Sequence, residues 1–223
     1  MKDVLFNLKD IRLEINFKSY DELRSLLYFY QNNDLYRLNI PCKNNLKKDF
    51  LLKSIEISRK EFPNIDIIPH FSILHQFNRN RLNTQNDFVA FLKIIKAIGC
   101  KEVLLVSGSQ KRATLDSISA LKFVKVKPLV NSGVFSIGVV FNPYLPDPLF
   151  DEELNRLKNK LNTGLVSSIW LQFGTDNELL KSRLKVLQNI ISIINNQNYR
   201  ISSIFLYGSI LIPSKAFISR FKF

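Results

Sequence analysis

Residues 99–109 read GCKEVLLVSGS and combine a helix end, a strand and a glycine-containing loop. The run 102–106 is apolar and branched, which is typical of a strand buried on both faces of a parallel sheet. The segment before it, 85–98, has apolar side chains at helical spacing, and Gly99 suits the C-terminal cap of such a helix. The stretch therefore predicts a helix, then a parallel strand, then a polar loop at the carboxyl end of that strand.

The same alternation extends in both directions along the chain. Strands are predicted at 12–17, 35–40, 65–71, 102–106, 135–141, 168–173 and 201–207. Helices are predicted at 20–30, 46–61, 85–98, 114–124, 151–161 and 177–195, with one or two further turns within 213–223. This order indicates a parallel sheet with right-handed crossovers, either doubly wound or closed into a barrel. No G-x-G-x-x-G follows the first strand, which disfavours the dinucleotide-binding open sheet.

Composition favours one globular domain spanning residues 1–223. Hydrophobic residues make up 46% of the chain, and the formal net charge is +13. The basic residues are scattered rather than clustered, so the charge is weak support for a nucleic-acid partner, although it would attract phosphate-bearing ligands. No apolar run is long enough to span a membrane, and the N-terminus lacks the features of a signal peptide. Cys42 and Cys100 form no disulfide framework. We expect a soluble cytoplasmic protein.

Five stretches resemble the methylenetetrahydrofolate reductases. Residues 68–72 (IPHFS) are similar to the family's "PHLT", 99–109 to "GI..ILALRGD", and 135–143 (FSIGVVFNP) to "FDIGVAGYPE". Residues 153–176 resemble "L..K...GA..iiTQ.ffD", and 208–213 (GSILIP) resemble "PGILP". The stretches occur in the family's order with nearly its spacing, from about residue 64 to residue 213. The first sixty residues match only loosely.

The resemblance implies a parallel (β/α)8 barrel of the TIM type that uses FAD and NADH or NADPH to reduce methylenetetrahydrofolate to methyltetrahydrofolate, a step of one-carbon and methionine metabolism. About seven strands are recognisable, so we expect the last helix, the eighth strand and the terminal helix to be missing. An open seam of this kind exposes strand edges and favours association, which makes a homo-oligomer possible. The expected site lies at the carboxyl ends of the strands.

The resemblance assigns the catalytic acid to Glu14, because LEINF at 13–17 stands where the family has "FEFFPP". A carboxyl group in the mouth of a barrel would be desolvated, which raises its pKa and makes it a proton donor. Opening the methylene bridge of the folate needs such a donor. The alternative is a surface glutamate on an alternating strand.

The resemblance also assigns cofactor contacts. His70 would lie against the flavin, and Ser107, Gly108 and Ser109 would approach its ring. Asn142, after the fifth strand, would also contact the cofactor. Each has a structural alternative, such as a hydrogen-bonded core histidine. Ser109 replaces the family's acid and Ser107 its arginine, which weakens control of the flavin by charge. His75 is five residues from His70 and lacks helical register, so no metal site is predicted.

Two residues on later elements complete the predicted site. Lys160 or Lys158 would meet cofactor phosphates; alternatively, each is a solvated lysine on a helix face. Gln172 matches the glutamine that binds the folate pterin, because an amide offers both a donor and an acceptor; alternatively it bonds to neighbouring backbone. Trp170 is expected to be a packing residue.

Three functions are therefore open. The first is a flavin-dependent oxidoreductase, the second a non-catalytic folate-binding or regulatory paralogue on the same barrel, and the third a basic nucleic-acid-associated protein. Flavin absorbance separates the first from the others.

Overall fold

Seven parallel strands form one sheet whose order follows the chain. The structure is a computed structural model, and it describes residues 11–42, 48–74, 81–107, 115–126, 136–197 and 203–209. The strands are β1 (Leu13–Glu14), β2 (Arg37–Ile40), β3 (Asp66–Ser72), β4 (Glu102–Val106), β5 (Ser136–Phe141), β6 (Val166–Leu171) and β7 (Phe205–Tyr207). Each strand pairs in parallel with the next one along the chain. A doubly wound sheet reverses its strand order, whereas this sheet runs in one direction and curls as a (β/α) barrel does.

Six helices in the described part of the chain connect the strands. They are α1 (Tyr20–Asn32), α2 (Lys48–Glu61), α3 (Arg81–Ala97), α4 (Ser117–Lys125), α5 (Asp147–Leu161) and α6 (Asn177–Gln197). Three begin at side-chain caps: Ser19 Oγ accepts from the Glu22 amide at 3.1 Å, Asp116 Oδ1 from the Ser119 amide at 2.8 Å, and Asp176 Oδ1 from the Leu179 amide at 2.9 Å. Such caps satisfy amides that have no partner within the helix. No described helix is both long enough and apolar enough to cross a membrane.

A continuous apolar core fills the space between the helices and the outer face of the sheet. Phe71 of β3 lies 4.6 Å from Phe88 and 5.3 Å from Phe91 of α3, measured between ring centroids. Ile68 and Leu104 are also buried but do not belong to this cluster. Successive strand residues point to opposite faces, so these two side chains point into the barrel interior.

The predicted order of strands and helices is confirmed, and several predicted boundaries are wrong. Helix α5 begins at Asp147 rather than at residue 151, because Pro148 occupies the first turn, where its missing amide hydrogen costs nothing. Strand β6 ends at Leu171, two residues before the predicted end, and α3 begins four residues before the predicted start. Strand β1 is only two residues long. The predicted turns within 213–223 lie outside the described residues.

Candidate functional site at the barrel interior

The strand register brings residues from distant parts of the chain side by side on the interior face. Glu14 of β1 pairs with Asn39 of β2, and Asn39 pairs with Ile68 of β3. His70 is the next interior residue of β3, and it pairs with Leu104 of β4. Glu14 and His70 were predicted as site residues, and they share this face. Asn39 was not predicted.

The Glu14 side chain is exposed. The expectation of a desolvated carboxyl group at this position is therefore wrong. The physical reason is its place at one end of the strand order, since β1 pairs only with β2 among the described strands. Glu14 still points to the interior, because its neighbours Leu13 and Ile15 pack on the core side of the strand.

Three other interior residues of the β1–β3 side are polar and buried. His70 is 7% exposed, Asn39 is 5% exposed and Ser72 is 3% exposed. Within the described chain, the Asn39 Oδ1 atom is shut off from solvent and has no hydrogen-bond partner. Most buried polar side-chain atoms in folded proteins have a partner, so this exception needs an explanation.

The β4–β6 side holds a polar cluster that sequence reasoning missed. Ser168 Oγ of β6 donates to Glu102 Oε1 of β4, and Trp170 Nε1 donates to Ser168 Oγ at 2.8 Å. Burial raises the pKa of Glu102, while hydrogen bonding from Ser168 and the charge of Arg12 oppose the rise. Glu102 is thus the desolvated acid of the barrel interior.

Gly138 of β5 makes room for this cluster. A Cβ atom placed on it would lie 2.6 Å from Ser168 Oγ, 2.7 Å from Trp170 Nε1 and 2.9 Å from Glu102 Oε1. No side chain fits there without displacing all three groups. Trp170 also stacks on Tyr207 of β7, with ring centroids 4.2 Å apart and planes inclined by 18°. The expectation that Trp170 packs against the barrel is consistent with this contact.

The amino end of the interior carries an ion pair. Arg12 donates to Asp66 Oδ2, to the Asp66 carbonyl at 3.1 Å and to the Leu38 carbonyl at 3.0 Å. The Arg12 side chain is 6% exposed, whereas that of Asp66 is 49% exposed. A barrel interior is commonly filled by branched apolar side chains, so the polar interior of this barrel is unusual.

Three predicted residues follow strands at the carboxyl end. Ser107 follows β4, Asn142 follows β5 and Gln172 follows β6. Gln172 is exposed, and its backbone amide donates to the Phe141 carbonyl at 2.9 Å. Gly108 and Ser109 were predicted to contact the flavin, and they lie outside the described residues. The structure therefore brings Ser107, Asn142 and Gln172 to one end of the barrel.

The loop between β5 and α5 is held from several directions. Asn142 Oδ1 accepts from the Tyr144 amide at 3.0 Å, which fixes the start of the loop. Arg183 of α6 donates to the Pro143 and Leu145 carbonyls, and to Asp147 Oδ1 at 2.8 Å. These contacts fix the loop that carries Asn142.

Two ring contacts add to this anchoring. The guanidinium carbon of Arg183 lies 3.9 Å from the Phe150 ring centroid, close enough for a cation–π interaction. The Tyr144 ring occupies the space where a Cβ atom of Gly174 would lie. The loops after β5 and β6 are therefore packed against each other.

Lys160 lies in the helix that the sequence predicted, but its side chain does not face solvent. Its side chain is buried between α5 and β5, and Nζ donates to the Val140 carbonyl at 3.4 Å. Burial lowers its pKa, and the nearby Glu153 carboxylate opposes that effect. A lysine available to cofactor phosphates would be solvent-facing. The predicted phosphate contact of Lys160 is therefore not supported by its position.

The polar residues suit the ring of the flavin cofactor implied by the resemblance. His70, Ser107 and Asn142 offer polar groups at the interior and carboxyl end, which suits an isoalloxazine ring. Of the two lysines expected at its diphosphate, Lys160 is buried and Lys158, on the same helix, is exposed. Among the described residues, no group of three or more histidine, cysteine, aspartate or glutamate side chains could hold a metal ion.

Solved structures share the fold at low sequence identity. A Burkholderia cenocepacia J2315 protein provisionally assigned as a phosphonomutase is 8% identical with a TM-score of 0.54, over 88% of this chain and 86% of that one. The 3-keto-L-gulonate-6-phosphate decarboxylase of Vibrio cholerae O1 biovar El Tor str. N16961 is 10% identical with a TM-score of 0.51, over 89% of this chain and 87% of that one. A protein of Aquifex aeolicus VF5 is 13% identical with a TM-score of 0.51, over 90% and 83%.

These similarities show a TIM-type (β/α) barrel. At such identities they carry the fold alone. No family model and no curated protein matches the chain.

Proposed function

We propose that this barrel is a flavin-dependent oxidoreductase that reduces methylenetetrahydrofolate to methyltetrahydrofolate with a nicotinamide cofactor. The observation that carries the proposal is the ordered set of five stretches resembling the methylenetetrahydrofolate reductases. Further support comes from position, since Ser107, Asn142 and Gln172 each follow a barrel strand, where such enzymes place their sites. His70 and Glu14 lie on the interior face of the sheet, on β3 and β1.

The first chemical task is to open the five-membered ring of the folate. Glu14 would donate its proton to N10 as the bond between N10 and the methylene carbon breaks, and the electron pair of that bond stays on N10. The methylene carbon remains attached to N5 as an iminium. An exposed carboxyl group at the interior face can collect its proton from solvent, which suits a general acid that turns over repeatedly.

The second task is to reduce the iminium. A bound flavin would supply the hydride. The residues of this chain would hold the reactants in place: Gln172 offers an amide donor and acceptor to the pterin edge, and the anchored loop after β5 presents Asn142. Arg183 would act through this loop as a positioning residue.

A second candidate is a folate-binding paralogue without redox activity. Two observations favour it: Ser109 replaces the family's acid at the flavin ring, and Lys160 is buried away from solvent. Both changes weaken flavin binding and leave Gln172 and Glu14 in place for a folate. The two candidates differ in whether the purified protein carries flavin.

Absorbance and FAD titration of the purified chain test the proposal. We expect the purified protein to show a flavin spectrum, or to take up FAD stoichiometrically if it purifies colourless. Because Ser109 replaces the family's acid, we expect FAD to dissociate more readily than from family members that keep the acid. Absence of FAD binding together with folate binding would favour the paralogue. Absence of both would exclude both candidates.

Glu14→Gln tests the mechanism separately from folding. We expect it to slow folate reduction by about a hundredfold to ten-thousandfold, the usual contribution of a general acid. Oxidation of NADH or NADPH with an artificial electron acceptor should be unchanged, because that half-reaction needs no acid. Glu152→Gln, an exposed site on α5, is the matched control. Equal loss in both half-reactions would show a folding or flavin defect, and no loss in either would remove Glu14 from the mechanism.

A further inference from the structure

Asn39 is a buried amide whose oxygen lacks a hydrogen-bond partner. It is 5% exposed and lies between the fully buried Leu38 and Ile40 of β2. Its Oδ1 atom is inaccessible to solvent and meets no donor within the described parts of the chain. An unmatched buried acceptor destabilises a folded protein. The group therefore points to a donor that comes from outside the protein. Because solvent does not reach Oδ1 here, such a donor meets it only once the Asn39 side chain turns toward the open interior.

The neighbours of Asn39 show where that donor would come from. Leu38 and Ile40 belong to the core between sheet and helices, so Asn39 points to the opposite, interior face. Ile68, its register partner on β3, is apolar and cannot donate. Glu14 is its register partner on β1. Paired strands lie about 4.8 Å apart, so the carboxyl and amide groups can reach adjacent atoms of one ligand.

We propose that Asn39 contacts the folate and accepts a hydrogen bond from N10–H as the five-membered ring opens. The inference rests on the proposed function, since it takes Glu14 as the proton donor to N10. Before opening, N10 is bonded to three carbon atoms and has no hydrogen. Once Glu14 has transferred its proton and the bond from N10 to the methylene carbon has broken, N10 carries a hydrogen directed at this pair of side chains.

The contact favours the opened form of the substrate. N10 of the closed folate offers no hydrogen to Oδ1 of Asn39, whereas N10 of the iminium form offers one. An interaction that forms only as the reaction proceeds stabilises the transition state more than the bound substrate. Asn39 would thus assist Glu14 without exchanging a proton itself.

The first experiment measures thermal stability without any ligand. Asn39→Leu replaces an unmatched amide by an apolar side chain of similar size, so we expect the melting temperature to rise by roughly 2–4 °C. The control is Asn142→Leu, since Asn142 Oδ1 accepts from the Tyr144 amide and its removal should lower the melting temperature. A lower melting temperature for Asn39→Leu would show that the amide is structural, and would overturn the proposal.

The second experiment compares folic acid, which has an N10–H group, with 10-methylfolic acid, which has none. Calorimetry on the FAD-supplied wild type should show folic acid binding up to about tenfold more tightly. Asn39→Leu should bind both equally. Equal binding of the two by a wild type that reduces methylenetetrahydrofolate would overturn the Asn39 contact and leave the proposed function intact. No binding of FAD or of either folate would overturn both.

Discussion

The two sides of the barrel interior are built differently. On the β4–β6 side, Glu102, Ser168 and Trp170 bond to one another over Gly138 and need nothing further. On the β1–β3 side, the Asn39 oxygen is unmatched and Glu14 is exposed. A buried cluster whose polar groups bond to one another stabilises and orders a fold, whereas a buried polar group without a hydrogen-bond partner lowers stability. Within the strands, the difference separates a cluster that maintains the barrel from residues that would contact a ligand. Asn142 and Gln172 belong to loops beyond β5 and β6 and are not part of that cluster.

Gly138→Ala should disrupt the hydrogen-bonded cluster of Glu102, Ser168 and Trp170 and have the largest effect on stability. The added carbon would meet three groups within 2.9 Å, so at least one hydrogen bond must be lost. Overpacking of this kind costs about 2–3 kcal/mol in the free energy of unfolding, measured by urea denaturation. Gly208→Ala is the control, because a Cβ atom there meets nothing within 4 Å. Equal stability of Gly138→Ala and wild type would show that the cluster rearranges freely.

Arg183→Leu should have the next largest effect. The change removes donors to two loop carbonyls and to Asp147, and leaves those carbonyls unmatched. We expect a loss of about 2 kcal/mol of unfolding free energy, with faster amide hydrogen exchange at Tyr144 and Leu145. Arg156→Leu, which replaces a half-exposed arginine of α5, should change stability by less than about 0.5 kcal/mol. Unchanged exchange in the loop would show that Arg183 does not hold it.

Glu102→Gln should have the smallest effect, and one that depends on pH. Because burial raises the pKa of Glu102 in the folded state, the unfolded chain loses this proton first as the pH rises above about 4.3. The wild type therefore loses stability between that pH and the higher folded-state pKa, relative to Glu102→Gln, which has no proton to lose at this position. Urea denaturation between pH 4 and pH 7 would show this, with Glu152→Gln as the exposed control. A relative gain of wild-type stability with rising pH would contradict the account.

The sequence predicted the elements well because they depend on local patterns. Apolar periodicity and the break at Gly99 are visible in a short window of residues, so the order of strands and helices could be predicted from local sequence. The predicted boundaries were wrong where one residue type is compatible with two local structures. Pro148 can end a loop or occupy the first turn of a helix, and here it does the latter.

The site was harder to predict because it depends on register between strands. Glu102 and Ser168 are 66 positions apart and meet only through the pairing of β4, β5 and β6. Only one local feature indicated that Asn39 lies in the interior: it is a polar residue between two apolar residues of a strand. Exposure of Glu14 and burial of Lys160 also depend on which elements cover them, and no short pattern encodes that.

Stabilisation by a bound ligand tests most directly whether Asn39 contacts the ligand while the cluster around Ser168 is structural. With FAD present, 5-methyltetrahydrofolate at about a hundred times its dissociation constant should add about 2.7 kcal/mol to the wild-type unfolding free energy. At that same concentration, Ser168→Ala should start from a lower melting temperature and show the full ligand-induced rise. Asn39→Leu should start from a higher melting temperature and show a smaller rise. The contradicting result is a full rise in Asn39→Leu with a reduced rise in Ser168→Ala, which would place the ligand against the cluster of Glu102, Ser168 and Trp170 instead of against Asn39.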